Sequence, residues 1–600
     1  MVHGGRQPIV GAHVYLLALN ATGYGGPGIP ASSSNASVSL LTSASGTAQD
    51  GSGNYYVTTD ANGNFTITGD YSCPPDASDS TYYYSTGGNP GSGANTAATL
   101  VGPAPACNSS KFTVVNEVST IVSLYAFAGF ISDPLHVGSS GSTLALTALS
   151  NAGQTLNNLY SQTTGAALAT TQAGNGTVPQ PEINTLANIL AACVNSTGPG
   201  STPCTTLFSN AKNGSTAPTD TATAAVNIAH NPGANISNLY GLQTANSPFQ
   251  PALTSAPNDF TIAIVYTGGG LYSPEGVAID ASGNVWVASS SLGGSINEFS
   301  PAGAAISGSA GYTGGGLSAP YGILIDTSGN VWASNLNGNS LSEFNPTTGA
   351  PMNSTGFKGA GLNEPEEITI DPSGHIWAAN FGGNSLSEFN SSDGSPVNAT
   401  AFTGGGLYAP LGLAVDTGGH VWIANTDGNV LSEFNTSNGQ AVSATGYTGS
   451  LSYPFGVAVD GSGNIWVANE GILSSSISEF SSTGTVSSNS PITGGGLNGT
   501  VGLAIDGSGN VWTANLLGNT ISEFSPAGAA ISPSTGYGYL AAGLNDPFWI
   551  AIDGSGNVWV TNSSTGAKSL TEFVGAAAPV VTPIVANLKS PYGSHAVNKP

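Results

Sequence analysis

The residues best suited to chemistry in this sequence stand directly after prolines, in a motif that the chain repeats seven times. The residue after the proline differs from copy to copy, and these positions with their neighbours supply carboxylates and aromatic rings: Glu275, Tyr321, Glu366, Glu367, Phe455, Phe548 and Trp549. Such a mixture suits a sugar, a peptide or a cation, so we predict a ligand-binding site here. The alternative is that the aromatic side chains only pack together and close the space, as buried aromatics usually do.

The frame that positions these residues is a repeat of 44 to 47 residues between Gly268 and Phe573. Each copy has an apolar strand ending in Asp, a short turn, a tryptophan six residues after that Asp, and then a Glu-Phe pair. The tryptophans are Trp286, Trp332, Trp377, Trp422, Trp466, Trp512 and Trp559. A fixed period of this length is typical of a stacked or closed array, and four short strands per copy make a propeller blade. We therefore predict a mainly β chain with a seven-bladed β-propeller of four-stranded blades.

The strands of the first copy are predicted at residues 276–280, 285–289, 295–299 and, as the weakest, 304–312. No strong fourth strand follows the last Glu-Phe pair, whereas an unclaimed strand at residues 260–266 precedes the first copy. We predict that this strand completes the seventh blade, which removes an open sheet edge and closes the ring. The post-proline residues and the Asp turns then lie at opposite ends of the first strands. Three residues after the tryptophan, six of the seven copies have an Asn, and this Asn is expected to make structural hydrogen bonds.

The pattern Pro-x-Gly-(apolar)3-Asp-x-x-Gly-Asn-Val-Trp resembles NHL-type propeller repeats and virginiamycin B lyase-like propellers over about half of the chain. Propellers of this kind include lyases, lactonases, peptide binders and RNA binders, so the resemblance implies a fold rather than one function. The lyases rely on a histidine base, with a glutamate and a magnesium ion at the mouth. The repeats here contain only His375 and His420, both in the Asp turn. They are expected to face away from the mouth, out of reach of a substrate proton.

Lactonase-type propellers hold a divalent metal through Glu, Asn and Asp, which implies Glu275, Glu366 and Asn380 as oxygen ligands for Ca or Mg. Two functions stay open. The first is an exported, non-catalytic binding or scaffold protein whose propeller mouth binds a carbohydrate, a peptide or another small ligand. The second is a metal-dependent lyase or lactonase-like enzyme. The missing histidine favours the first.

The region before the repeats has two different patterns. Residues 7–16 and 58–69 contain strand and turn signals, and they resemble the carboxypeptidase regulatory-like (transthyretin-like) domain, a β-sandwich, despite the Ser- and Gly-rich insertion at residues 20–52. Val118, Ile121, Val122 and Tyr125 then have helical spacing, a similar stripe begins near Pro181, and another helix begins near Thr221. We predict a sandwich at residues 1–110, a helical domain at 111–246, a linker at 247–259, the propeller at 260–575 and a tail at 576–600.

Isolated ionisable residues on the predicted helices, Glu117 and His230, are expected to be structural, because function needs a cluster of such groups. The four cysteines are Cys73, Cys107, Cys193 and Cys204, and their spacing favours two local disulfides, Cys73–Cys107 and Cys193–Cys204, among three connectivities. No Cys or His pair has metal-ligand spacing. Disulfides predict an oxidising compartment, so we expect an extracellular, periplasmic or surface protein of a bacterium.

The composition limits the partners. The chain has 7 Lys and Arg against 32 Asp and Glu, a formal charge of -25, which argues against nucleic acid because phosphate binding needs basic residues. No run of about 20 apolar residues predicts a membrane span. The sequence opens Met-Val-His-Gly-Gly, without a charged and apolar leader, so export would depend on a signal peptide that these residues do not supply.

Overall fold

The computed structural model describes residues 1–21, 23–24, 39–68, 71, 81–104, 112–291, 293–471, 474–538, 542–583 and 599. These residues form a mainly β structure with many small antiparallel sheets. They divide into two compact units, Met1–Ile264 with Phe573–Ala576 and Val265–Glu572 with Ala577–Lys599. We call them the N-terminal unit and the repeat unit. In the described part of the chain, every helix is too short or too polar to cross a bilayer.

The N-terminal unit contains an antiparallel sheet with the strand order Thr47–Gln49, Tyr55–Thr58, His13–Ala18, Thr81–Thr86 and Thr99–Pro103. Val14, Leu16 and Leu100 are buried in one apolar cluster on this sheet. The remaining strands of the unit are His3–Gly4, Gln7–Pro8, Ile131–Asp133, His136–Val137 and Gly176–Thr177. The strand signal at residues 7–16 is therefore split, and Gly11, with a φ of 75°, makes the turn between its two parts.

Six α-helices follow in this unit: α1 Glu117–Ala126, α2 Thr143–Leu159, α3 Gln180–Val194, α4 Thr202–Asn210, α5 Thr221–His230 and α6 Ile236–Tyr240, with a short 3-10 turn at Ala128–Phe130. The predicted helical stripes are buried, as Ile121 on α1 and Leu186 on α3 show. Asn116 and Ser119 form a capping box that fixes the start of α1.

The isolated ionisable groups of these helices have structural partners. The carboxylate of Glu117 accepts the backbone N–H of Gly5 at 2.9 Å through both oxygens, and burial raises its pKa to about 8. A ring nitrogen of His230 lies 2.9 Å from the carbonyl oxygen of Ala128. The predicted Cys193–Cys204 disulfide is confirmed and ties α3 to α4. The predicted Cys73–Cys107 pair lies outside the described residues.

The repeat unit contains seven sets of three antiparallel strands. The first strands are Pro274–Ile279, Pro320–Ile325, Pro365–Ile370, Pro410–Val415, Pro454–Val459, Thr500–Ile505 and Pro547–Ile552. The second strands are Val285–Ser289, Val331–Asn335, His375–Asn380, His420–Asn425, Ile465–Asn469, Val511–Asn515 and Val558–Asn562. The third strands are Ser295–Phe299, Ser340–Phe344, Ser385–Asn390, Val430–Asn435, Ser476–Phe480, Thr520–Phe524 and Ser569–Phe573.

The predicted fourth strand at residues 304–312 is not a continuous strand. It touches the third strand through two isolated bridges, Phe299 with Ala305 and Ile296 with Tyr312, and five further sets repeat the arrangement. The ladder breaks because the backbone N–H groups of Ile306 and Ser307 both donate to the carbonyl of Glu298, so the segment bulges away between the bridges.

The seven sets are connected side by side through their first strands. Each first strand contacts the first strand of the next set, and Pro547–Ile552 contacts Pro274–Ile279. The strand Ala263–Thr267, predicted at 260–266, lies beside the third strand Ser569–Phe573 of the last set. The Tyr266 hydroxyl donates to Glu572 at 2.7 Å. The beginning and the end of the repeat unit therefore share one sheet.

The core of the repeat unit lies between neighbouring sets. All seven repeat tryptophans are at most 1% exposed. Trp332, for example, packs against Ile368 and Ile376 of the next set. Both faces of each second strand are buried, which explains why apolar residues occupy consecutive positions there.

Candidate functional site

The candidate site lies at the proline end of the first strands, which we call the mouth. In every set the pairing with the second strand shifts register between the first strand's opening residue and its fourth, as between Pro274 and Val277. A bulge of this kind re-aims the side chains inside it. The second residues of the seven first strands, which we call the rim, are Glu275, Tyr321, Glu366, Leu411, Phe455, Val501 and Phe548. Six of them follow a proline, and Val501 follows Thr500.

The position after the rim is glycine in five of the seven sets, and the reason is close backbone packing. A Cβ on Gly322 would stand 2.7 Å from the carbonyl oxygen of Glu366, and one on Gly412 would stand 2.1 Å from that of Phe455. Glu367 and Trp549 are the exceptions. Comparing the repeats position by position would have singled out these two residues from sequence.

The aromatic half of the rim is packed shut. The ring centres of Phe455 and Phe548 lie 5.3 Å apart, those of Tyr321 and Phe548 5.8 Å apart, and those of Phe455 and Trp549 6.0 Å apart. Phe455 is 7% exposed and Phe548 is 9% exposed. These residues come from the second, fifth and seventh sets, so they meet across the centre of the unit. The aromatic side chains of the rim therefore pack against one another, as in the alternative stated for them from sequence.

The acidic half of the rim is formed by Glu275 and Glu366, from the two sets on either side of Tyr321. The Ser290 hydroxyl donates to Glu275 at 3.0 Å, and an interaction with the Tyr321 hydroxyl lowers the pKa of Glu366 against the other influences on it. Burial raises the pKa of each carboxyl to about 7, and the charge of Glu275 contributes to the shift at Glu366. The Tyr321 pKa rises well above its usual value through burial and then through the neighbouring carboxylates. Glu275 and Glu366 are therefore partly protonated near neutral pH. A bound cation or hydrogen-bond donor would favour their ionised forms.

Glu367 is the most isolated of the predicted carboxylates. It is 6% exposed, and its Oε2 has no hydrogen-bond partner among the described residues. Burial raises its pKa to about 8. Together with Trp549 it lines a cavity between the first strands, and the other five predicted site residues do not line that cavity. The structure thus divides the predicted site into a mouth and an interior part.

The side chain of Asn380, which was predicted as a metal ligand together with Glu275 and Glu366, is already used in hydrogen bonds. Its amide nitrogen donates to Ser385 and Ser387, and its oxygen accepts the backbone N–H of Asn363 at 3.2 Å. The side chain is fully buried. The Asn after the tryptophan makes related bonds in the second to seventh sets, in line with the structural role predicted for it.

The turn end of the first strands has one repeated geometry. In the first set, Oδ1 of Asp280 accepts backbone N–H groups of Ser282 and Asn284, and Oδ2 accepts the indole N–H of Trp286 at 3.1 Å. All seven sets have the Asp to Trp bond. From sequence, this Asp is expected only to form the turn. The constant spacing of six residues to the tryptophan was the signal for the second role.

His375 and His420 lie in these turns, as predicted. His375 Nδ1 is 2.8 Å from Oε1 of Glu388, and His420 Nδ1 is 3.3 Å from Oδ2 of Asp416. Within the described residues, Asp371, His375 and Glu388 are three potential metal ligands that lie close together. In the fifth set Asn464 stands in the same place and donates to Asp460. The histidines therefore substitute for a structural amide.

Comparison with known proteins gives structural neighbours only. No family model and no curated protein matches this chain. Solved structures with similarity include virginiamycin B lyase from Staphylococcus aureus, at 18% identity over 40% of this chain and 77% of that one, with a TM-score of 0.33. A streptogramin B lyase has 13% identity over 52% and 97%, with a TM-score of 0.39. Hydrazine synthase of Kuenenia stuttgartiensis has 12% identity over 51% and 97%, with a TM-score of 0.41. Similarities of this size assign no activity.

Proposed function

We propose that this chain is an exported, non-catalytic binding or scaffold protein that uses the mouth of a closed seven-bladed propeller to bind a small ligand. The proposal keeps the domain limits inferred from sequence, with a regulatory-like sandwich at 1–110, a helical domain at 111–246, a linker at 247–259, the propeller at 260–575 and a tail at 576–600. The disulfide Cys193–Cys204 supports an oxidising compartment.

The observation that carries the binding function is the acidic half of the rim. Glu275 and Glu366 flank Tyr321, and each has a pKa near 7 because it is largely removed from water. Placing two carboxylates in such a position costs stability, since burial disfavours their charged forms. A ligand that supplies hydrogen-bond donors or positive charge offsets this cost. Carbohydrates, amine-bearing peptides and divalent cations have that chemistry.

The proposal is tested by calorimetric titration at pH 8, where both acids are ionised. The probes are calcium and magnesium salts, neutral oligosaccharides and lysine-containing dipeptides. We expect one class to bind the wild-type protein and to lose at least about tenfold in affinity, equivalent to roughly 1.4 kcal/mol, in the double variant Glu275→Gln and Glu366→Gln. The matched control is Asp427→Asn, which removes one charge from an exposed loop. Failure of every probe, or unchanged binding to the double variant, would overturn the proposal.

The enzyme alternative has less support, because Asn380 is committed to other hydrogen bonds and leaves two carboxylates for a metal. Stoichiometric binding of a divalent cation together with cleavage of a lactone would favour it. Cation binding without turnover would favour the binding protein.

A further inference from the structure

The repeat unit contains a cavity of about 260 Å³ between the first strands. All seven sets contribute to its wall, mostly through aliphatic side chains such as Ile279, Ile325, Ile370 and Ile505. An apolar cavity of about 150 Å³ stays dry and binds benzene. The cavity here therefore has room for an apolar molecule of roughly ten non-hydrogen atoms by the same scale.

One end of the cavity is covered by the chain that follows the last set. Val580, Thr582 and Pro583 line the cavity. The backbone of this segment is bonded to two Asp turns, through Ala578 N–H to the carboxylate of Asp506 at 3.2 Å and Val580 N–H to the carbonyl of Asp553 at 3.3 Å. The covered end is thus the turn end, opposite the mouth. The cavity is separate from the acidic half of the rim, so the inference goes beyond the proposed function.

Glu367 is the one ionisable group of the cavity wall among the described residues. Its Oε2 has no hydrogen-bond partner there, although the side chain is 94% buried, being 6% exposed. Five of the other six sets have glycine at this position, so the fold does not need a carboxyl group. A buried polar atom without a partner destabilises the folded chain, and a bound polar group would remove that penalty.

The protonation state of Glu367 decides which polar group fits. Burial raises its pKa to about 8, the charge of Glu366 adds to the rise, and the backbone N–H of Ile368 opposes it. The other titratable group that interacts with Glu367 is the Tyr321 hydroxyl, which stays protonated because its own pKa is raised. At neutral pH Glu367 is therefore an uncharged carboxylic acid with an O–H to donate.

We propose that this cavity binds a small, neutral, mostly apolar molecule with one hydrogen-bond acceptor, which accepts a hydrogen bond from the carboxyl O–H of Glu367. A monocyclic ketone has this chemistry and about the right size. A neutral ligand avoids placing an ion pair in an apolar space, which is costly unless its geometry is excellent. Trp549 on the wall supplies an aromatic surface against the apolar body of the ligand.

The test uses three probes of similar size: acetophenone as the neutral acceptor, 1-phenylethylamine as the cation and cumene as the apolar reference. Binding to the full chain is measured by ligand-observed NMR titration. Glu367→Gln keeps a neutral donor of the same shape, whereas Glu367→Leu removes the donor and keeps the volume. We expect acetophenone to bind wild type and Glu367→Gln, and to lose about tenfold in affinity in Glu367→Leu, the equivalent of one hydrogen bond. Cumene should bind all three proteins equally.

The pH dependence supplies an independent readout. Acetophenone affinity for the wild-type protein should fall as pH rises through 8, because ionised Glu367 no longer donates, and Glu367→Gln should show no such fall. Three results would overturn the proposal: no acetophenone binding to wild type, equal acetophenone binding to wild type and Glu367→Leu, or a preference for 1-phenylethylamine that disappears in Glu367→Gln. The variant Glu275→Gln should leave acetophenone binding unchanged, which separates this site from the mouth.

Discussion

At the turn end of each first strand an Asp accepts the indole N–H of the tryptophan in all seven sets, whereas at the proline end the residue type varies among Glu, Tyr, Leu, Phe and Val. The Asp carboxylates accept backbone N–H groups and an indole N–H, so every set needs one. The rim includes Leu411, Phe455, Val501 and Phe548, whose side chains have no hydrogen-bonding group, so the rim side chains share no hydrogen bond across the seven sets. Repeated copies within one chain thus separate the residues that hold the frame from those that are free to carry a site.

Glutamates on the third strands and Glu367 on a first strand show the same contrast between frame and site. Glu298 and Glu433, on third strands, accept the hydroxyl of Tyr312 and Tyr447 from the following segment. Glu367 is buried without a partner for Oε2. The carboxylates on the third strands are buried and bonded in the same way in different sets, so they belong to the frame. A carboxylate that is buried and left unsatisfied is better explained by a ligand.

The largest loss of stability is expected at the turn end. Asp460→Asn keeps the acceptor for the backbone N–H groups but places an amide N–H₂ opposite the indole N–H of Trp466, which lies 2.9 Å from the present carboxylate. A buried donor is left without a partner, so the free energy of unfolding should fall by about 1 to 3 kcal/mol. Urea unfolding followed by tryptophan fluorescence measures the loss.

The control for this change is Asp427→Asn, the same chemical substitution at an exposed residue, where we expect a change within about 0.5 kcal/mol. Equal losses in the two variants would show that the Asp to Trp bond does not distinguish the turn end. Ligand binding at the mouth should be unaffected by Asp460→Asn.

A gain in stability rather than a loss is expected for changes at the rim. The pKa of Glu275 and of Glu366 is raised from 4.5 to about 7, so between these values the folded chain keeps protons that the unfolded chain has released. Stability therefore falls as pH rises from about 4.5 to 7. Replacing both residues by Gln removes this part of the decline. The stability of the double variant relative to wild type should rise between pH 5 and pH 7.5, as measured by denaturant midpoints. A difference that is constant with pH would refute the assignment.

The smallest effect is expected for His420→Asn. Asn occupies this place in the fifth set, where Asn464 donates to Asp460 at 3.0 Å, so the amide should replace the ring nitrogen of His420. We expect a change in the free energy of unfolding of at most about 1 kcal/mol, the range of half-exposed polar and charged pairs. A loss as large as that of Asp460→Asn would give the histidine a role of its own.

The sequence predicted the second and third strands of the first copy with the bounds that the structure has, because the tryptophan and the Glu-Phe pair mark them. The first strand begins two residues earlier than predicted, at Pro274, since the bulge hides the regular alternation there. The fourth strand was overestimated because a spacing pattern does not reveal that two N–H groups share the carbonyl of Glu298.

The rim could be enumerated from sequence, but the contacts within it could not. Tyr321, Phe455 and Phe548 are far apart in the chain and meet only because the first strands surround a common space. The spacing of residues along the chain does not predict these ring contacts. The division of the site at Glu366 and Glu367 was also missed, since it depends on which of two adjacent side chains faces the cavity.

The strand Ala263–Thr267 lies beside the last third strand, so the first and the last strands of the repeats lie in one sheet. A unit with adjacent ends is suited to insertion into a surface loop of another protein, because entry and exit need no extra length of chain. The same property permits circular permutation. New ends opened in the loop between Asn435 and Pro454, with the old ends joined by a short linker, would leave each three-stranded set uncut.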